Sequence, residues 1–166
     1  MEGLITFVVG VAVGILGYSI TMKVSFKQRT IDYKIRVYDV LIGKWVQMRN
    51  HIYAHHPGNS SDNVSSQVIY QFDQMYGESQ QLIGEAILVC EDAVLTNDIN
   101  ELNERMYRTK WHNLPLEQLN EAMESIKKDA ISIVSRMRED IKESTRLELR
   151  DFAHIASGFW HKRHDS

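Results

Sequence analysis

A stretch of 20 residues without a charge, from Gly3 to Met22, lies near the start of the chain and constrains everything that follows it. As an α-helix rising about 1.5 Å per residue, it is about 30 Å long, which matches the hydrocarbon thickness of a bilayer. A secretory signal peptide is the competing interpretation, but the only charge before the apolar residues is Glu2, and no small-x-small cleavage site follows them. The sequence therefore predicts an uncleaved transmembrane anchor over residues 1–23.

The charges on either side of this segment predict its orientation. Only Glu2 precedes it, whereas five basic residues follow it closely: Lys23, Lys27, Arg29, Lys34 and Arg36. Because Lys and Arg concentrate on the cytoplasmic side of membrane helices, the N-terminus is expected outside. Residues 24–166 are then expected to form a cytoplasmic domain at the plasma (inner) membrane, with the lipid bilayer as a partner.

Four glycines share one face of the predicted anchor helix. Gly3, Gly10, Gly14 and Gly17 are separated by seven, four and three residues. Small residues on one face let two helix backbones approach closely, so this face is a candidate contact with a second copy or with another membrane protein. The alternative is that glycine is simply common in membrane helices.

Composition limits what the remainder of the chain can be. About 140 of the 166 residues follow the anchor, which is enough for one domain with a real core. The net charge of -3 provides no general positive field for nucleic acid, and the early basic residues are explained by topology and by anionic lipid. The single cysteine, Cys90, cannot form an intrachain disulfide, which agrees with a reducing cytoplasm.

The first soluble helix is predicted to continue from the anchor, because nothing in the sequence breaks a helix before Pro57. Spacings of four and three define a core-facing stripe along it: Ile31, Ile35, Tyr38, Ile42, Trp45, Arg49 and Ile52. Arg49 is the one charged member of this stripe. A charge in that register predicts an interior ion pair, a side chain that reaches outward along its aliphatic stem, or a functional role.

Three further helices and a last one are predicted from caps and periodicity. The second helix is expected from near Ser65, and a short helix capped by Asp98 from Ile99 to about Lys110. Pro115 suits the first turn of the next helix, whose apolar residues repeat at three and four up to Ile141. A last helix is expected from Arg146. The predicted fold class is all-α, an antiparallel bundle that follows the membrane helix.

Most enzymatic signatures are absent from the sequence. It contains no Gly-rich phosphate loop, no CxxC pair, no GxSxG elbow and no paired Glu-x-x-His motifs. His51 and His55 have the i, i+4 spacing of half a metal site, but no acidic partner lies in the same turn. A solvated helix end is the favoured interpretation of this pair. No cofactor and no metal are therefore expected.

The segment MRNHIYAHH resembles the active-site motif of HEPN ribonucleases, which are all-helical domains. The motif is Arg, a polar residue, four to six residues of any kind, and His, and it matches Arg49, Asn50 and His55. In that family, Arg and His from two protomers line a cleft and cleave RNA without metal, in toxins and in phage defence. The resemblance covers seven residues and implies that Arg49, Asn50 and His55 are catalytic.

Two functions follow from the sequence. The first is a membrane-anchored interaction module, an adaptor or small subunit of a membrane-associated complex, which is expected to form a homo-oligomer or bind another membrane protein. The alternative is a membrane-tethered, metal-independent ribonuclease, and nucleic acid is a partner only under that alternative.

Overall fold

The computed structural model describes residues 2–58 and 64–145; within residues 2–20, side chains are described only at Gly14, Gly17 and Tyr18. All regular structure in these ranges is helical, which confirms the predicted all-α class. The elements are α1 (Glu2–His55), α2 (Ser66–Val89), α3 (Ala93–Arg108), a 3-10 turn (Trp111–Asn113) and α4 (Leu116–Thr145).

The predicted anchor and the predicted last helix fall largely outside these ranges. Most side chains of Gly3–Met22, and all residues from Arg146 onward, lie outside the described residues. Over the residues that are described, no helix carries an apolar segment long enough to cross a bilayer.

Residues Tyr33–Ile141 form one compact unit, and the other described residues belong to a second unit. Inside the first unit, successive helices are antiparallel. The Tyr33 hydroxyl donates to Glu85 Oε2 (2.8 Å) near one end of the α1–α2 pair, and His51 Nε2 donates to the Val68 carbonyl (2.9 Å) near the other end. The helices therefore form an up-down bundle with short connections.

The core of this unit consists of apolar side chains at helical spacing on all four helices. Its least exposed members are Leu41, Met48, Ile52, Leu95, Ile99, Leu119 and Met123. The predicted seam of α4 is confirmed at Leu119, Met123, Ile126, Ile133 and Met137.

The predicted stripe of α1 is confirmed at Ile31, Tyr38, Trp45 and Ile52, which are buried, and differs at two of its positions. Met48 is fully buried, whereas Arg49 and Ile35 are exposed, so the expectation that Arg49 lies on the buried stripe is wrong. Lys34 is a charged residue on the buried side of α1, and it is 2% exposed. The helix is rotated toward Leu41 and Met48 relative to the predicted stripe, and Arg49 turns to solvent.

The helix boundaries agree with the sequence at α2 and α4 and differ at α3. The predicted start of the second helix near Ser65 is confirmed, because α2 begins at Ser66 with Ser65 as its N-cap. The predicted cap Asp98 is wrong: α3 begins at Ala93, and the Asp92 carboxylate accepts from the Val94 and Leu95 N–H groups at 2.9 and 3.1 Å. Asp98 lies inside α3, where it binds Arg136.

A buried ionic cluster joins α1 to α4. Lys34 Nζ lies 3.0 Å from Asp140 Oδ2, and the Tyr38 hydroxyl donates to the same oxygen at 2.7 Å. Burial, together with hydrogen bonds to Cys90 and Asp140, raises the pKa of Tyr38, so this hydroxyl remains a donor at neutral pH. Paired and hydrogen-bonded in this way, the two charges satisfy each other away from water.

The Asp140→Asn variant tests how strongly the bundle depends on this pair. The amide keeps the volume and can still accept from Tyr38, but it removes the carboxylate charge that lies 3.0 Å from the Lys34 ammonium. Loss of one partner of a buried pair costs about 3–5 kcal/mol. We expect that loss in the free energy of unfolding of the full-length protein in detergent micelles, measured by urea titration and circular dichroism.

The matched control is Glu78→Gln, which breaks the ion pair between Glu78 and Lys44. The side chain of Glu78 is 60% exposed. Exposed ion pairs contribute about 1 kcal/mol or less. Equal losses for Asp140→Asn and Glu78→Gln would contradict the prediction.

Candidate functional site

Arg49 and Asn50 lie on the solvent-facing side of α1. The Arg49 guanidinium lies over the Tyr53 ring, with Cζ 5.3 Å from the ring centroid, and it forms no ion pair with any described residue. A cation over an aromatic face is stabilised by the ring quadrupole. The sequence left three interpretations of Arg49 open. The structure agrees with the one in which its side chain reaches outward to solvent.

His51 and His55 lie on a different side of α1, where His51 is buried against α2, so the interpretation of this pair as a solvated helix end is wrong for His51. His51 is buried and its Nε2–H donates to the Val68 carbonyl, while the half-buried His55 ring lies 4.6 Å from the His51 ring. The rings of Phe72 and Trp111 each lie 6.1 Å from His51. Burial lowers the pKa of His51, the Val68 hydrogen bond opposes this shift, and repulsion from His55 adds to it.

The structure does not bring Arg49 and His55 together within one protomer. Six residues rotate an α-helix by about 600°, which leaves the two side chains about 120° apart around the axis. His55 contacts His51, and Arg49 contacts Tyr53. A site that uses both residues would need the Arg49 of one protomer to meet the His55 of another.

His56 is a buried histidine that the sequence did not single out. Its Nε2 lies 2.9 Å from the Leu114 carbonyl oxygen, and its Nδ1 accepts from the Gly58 N–H at 3.0 Å. The carbonyl can only accept and the amide can only donate, so the ring is neutral with its proton on Nε2. A Cβ at Gly58 would lie 3.0 Å from His56 Nδ1, so a larger residue here would force the imidazole ring to shift. The available signal was local, a His-Pro-Gly turn that directly follows the helix.

Asn103 is a second buried polar residue that sequence reasoning missed. Its Oδ1 accepts from Trp45 Nε1 (3.2 Å) and from Ser79 Oγ (2.8 Å), which links α1, α2 and α3. Its Nδ2 is buried and has no hydrogen-bond partner among the described residues. An unsatisfied buried donor costs about 1–3 kcal/mol, so this residue orients the three helices at some cost in stability.

Two arginines line a groove of about 300 Å³ between α3 and α4. Arg105 pairs with Asp129 and donates to Ser125 Oγ at 3.1 Å, and Arg108 lies 3.0 Å from Glu104. Because a carboxylate accompanies each guanidinium, the groove has no surplus positive charge with which to attract a phosphate.

Within the described ranges, no three His, Cys, Asp or Glu side chains are grouped so that they could hold a metal ion.

Comparison of the chain with protein-family models, with curated proteins and with solved structures finds no match.

The lowered pKa of His51 predicts a pH dependence of stability. At pH values between the folded pKa of His51 and its unfolded pKa of about 6.5, the unfolded chain binds more protons than the folded chain. The stability that depends on a neutral His51 is therefore present above pH 6.5 and is lost as the pH falls. In the His51→Gln variant the amide can still donate to Val68 but does not titrate. We expect urea midpoints to fall more for the wild type than for His51→Gln between pH 7.5 and 5.5, and equal falls would contradict the prediction.

Proposed function

We propose that the protein is a single-pass, membrane-anchored interaction module, an adaptor or small subunit of a membrane-associated complex, with its N-terminus outside and its bundle in the cytoplasm. The observation that carries this proposal is the continuity of α1, which begins at Glu2 and ends at His55. The uncharged segment and the first core helix therefore belong to one element, and the proposed anchor is covalently joined to the bundle through a helix.

Residues at the end of the uncharged segment and directly after it support this proposal. Tyr18, Met22, Val24 and Phe26 are exposed, Phe26 by 75%. Lys23 lies between Met22 and Val24, and a second lysine directly follows Phe26. Aromatic and basic residues in this combination are typical of the interface between a bilayer and the cytoplasm.

The glycine face supports contact with a second membrane helix. A Cβ added at Gly14 or Gly17 would meet no atom within 4 Å. Packing inside one protomer therefore does not require glycine at these two positions, whereas close approach of another helix would use them. Gly3 and Gly10, the other members of this face, lie outside the residues whose side chains are described.

Extraction with alkaline carbonate tests the anchor. We expect the full-length chain to remain in the membrane pellet and the Val9→Glu/Val13→Glu variant to move to the soluble fraction, because each charge at the centre of a span costs about 2.5–3.5 kcal/mol. The matched control, Val9→Leu/Val13→Leu, keeps the segment apolar and should stay in the pellet. Release of the unmodified chain by carbonate would refute the anchor.

The second candidate function is the membrane-tethered ribonuclease, and the accessibility of Arg49 favours it. An exposed guanidinium that pairs with no carboxylate in residues 2–58 and 64–145 can stabilise charge on a phosphate, and histidine transfers protons near neutral pH. The Arg49–His55 geometry requires two protomers, which agrees with a symmetric dimer.

The His55→Ala variant tests the ribonuclease. We expect cleavage of RNA by the full-length protein, in buffer with EDTA, to fall by at least 100-fold, the typical contribution of a general acid or base. Helical circular dichroism should persist, because His55 is the last residue of α1. The comparison variant is His112→Ala, a half-buried histidine outside the MRNHIYAHH segment. Because Arg105 to His112 satisfies the spacing of the motif too, with Met106 where a polar residue is usual, a loss of cleavage only in His112→Ala would contradict the assignment to His55. Wild-type protein without RNA cleavage above the His55→Ala background would exclude this function.

A further inference from the structure

Two buried histidines lie at the end of the bundle where α1 stops, and both contact the connection between α3 and α4. His51 donates to the Val68 carbonyl of α2, and its ring lies perpendicular to the Trp111 ring, with 6.1 Å between the centroids. His56 donates to the Leu114 carbonyl at 2.9 Å. The last turn of α1 is therefore fastened to α2 and to the Trp111–Leu114 connection through two imidazole rings.

The hydrogen bonds of His56 leave no place for a second proton on its ring. Nε2 donates to the Leu114 carbonyl, and Nδ1 accepts from the Gly58 N–H at 3.0 Å. A protonated imidazole carries an N–H at both nitrogens. The new Nδ1–H would point at the Gly58 N–H, and a buried cation would lack an acceptor at that atom. Protonated His56 is therefore incompatible with the arrangement seen here.

The surroundings of the two rings do not compensate a positive charge. The titratable and charged groups next to their contact residues, taken over all elements packed against them, are His55 on α1, Asp73 on α2, Lys110 and His112 on the connection, and Glu117 on α4. Both carboxylates belong to exposed residues, and within residues 2–58 and 64–145 neither forms an ion pair with His51 or His56. The remaining three groups are basic, so they oppose a further positive charge.

The connection between α3 and α4 also depends on contacts from outside itself. Lys110, which directly precedes Trp111, has a left-handed backbone with φ of 45°, which L side chains adopt at a cost. Such a backbone persists when surrounding contacts hold it in place. The rings of His51 and His56 supply two of these contacts, at Trp111 and at Leu114.

We propose that His51 and His56 form a proton-sensitive latch: in acid, both rings leave their buried sites, and the Trp111–Leu114 connection and the last turn of α1 open while the rest of the bundle stays folded.

The size of the effect follows from proton linkage. Histidine changes its charge in the range of pH 5 to 8. Between pH 7.5 and 5.5, a histidine with an ordinary pKa of about 6.5 that is protonated only in the open form raises the open fraction about ten-fold. Two such histidines raise it about 100-fold, because their protons bind to the same open form.

Hydrogen–deuterium exchange of the full-length protein in detergent micelles, read by mass spectrometry, tests the latch. Labelling times are scaled for the pH dependence of the chemical exchange rate. Between pH 7.5 and 5.5, we expect the protection of residues 50–58 and 110–117 to fall about 100-fold. Protection of residues 38–47 and 126–137, which belong to the rest of the bundle, should fall less than about three-fold.

Glutamine variants identify the groups that bind the protons. The amide of His51→Gln or His56→Gln can still donate to its carbonyl partner but does not titrate. Each variant should reduce the loss of protection from about 100-fold to about ten-fold, and the double variant should remove it. The matched control is His112→Gln on the same connection. His112 is half-buried, its ring lies 5.5 Å from that of Trp111, and this variant should behave like the wild type.

Two results on the wild type alone would overturn the latch, so the test holds even if a variant does not fold. Equal protection of residues 50–58 and 110–117 at pH 7.5 and 5.5 would show that this end stays closed in acid. An equal fall in residues 38–47 and 126–137 would show that the bundle opens as a whole. A wild-type response in the folded double variant would likewise exclude His51 and His56 as the groups that sense the protons.

Discussion

The buried pair of Lys34 and Asp140 is the constraint on which the arrangement of the bundle depends. Burying an ammonium group that is only 2% exposed is costly unless a counter-charge lies beside it. The Asp140 carboxylate of α4 supplies this charge. Tyr38, 102 residues before Asp140 in the chain, binds the same carboxylate. The pair thus fixes the rotation of α1, which turns Met48 into the core and Arg49 to solvent.

This constraint also shows where sequence reasoning succeeds and fails. The helices of the bundle, the start of α2 near Ser65 and the start of α4 after Pro115 follow from local signals, and they were predicted. The burial of Met48 in place of Arg49 could not be predicted, because both positions lie beside correctly predicted buried residues and the helical period alone does not choose between them. The choice depends on α4, distant in sequence. The predicted start of α3 was wrong for a similar reason, because burial of Leu95 outweighs the weak helix propensity of the residues after it.

The same distinction applies to the candidate site. The local motif identified Arg49, Asn50 and His55, but it carried no information on which of them face one another. The structure shows that the histidines face α2 and that Arg49 faces solvent. His56 and Asn103 were missed because their importance comes from partners on other elements, the Leu114 carbonyl and the Trp45 indole.

The distribution of charge over the bundle finally bears on how such a small domain could act. On α3 and α4, part of the charge is paired within the protomer, as in the pairs of Arg105 with Asp129 and of Arg136 with Asp98. These pairs hold the helices together, whereas Glu121, Lys128 and Arg138 lie exposed on α4. The outer face of α2 carries the exposed Asp73 beside Gly77 and Gly84, and these two glycines lower helix stability without a contact within the protomer. This face therefore adds less to the stability of the bundle than the paired faces of α3 and α4 do.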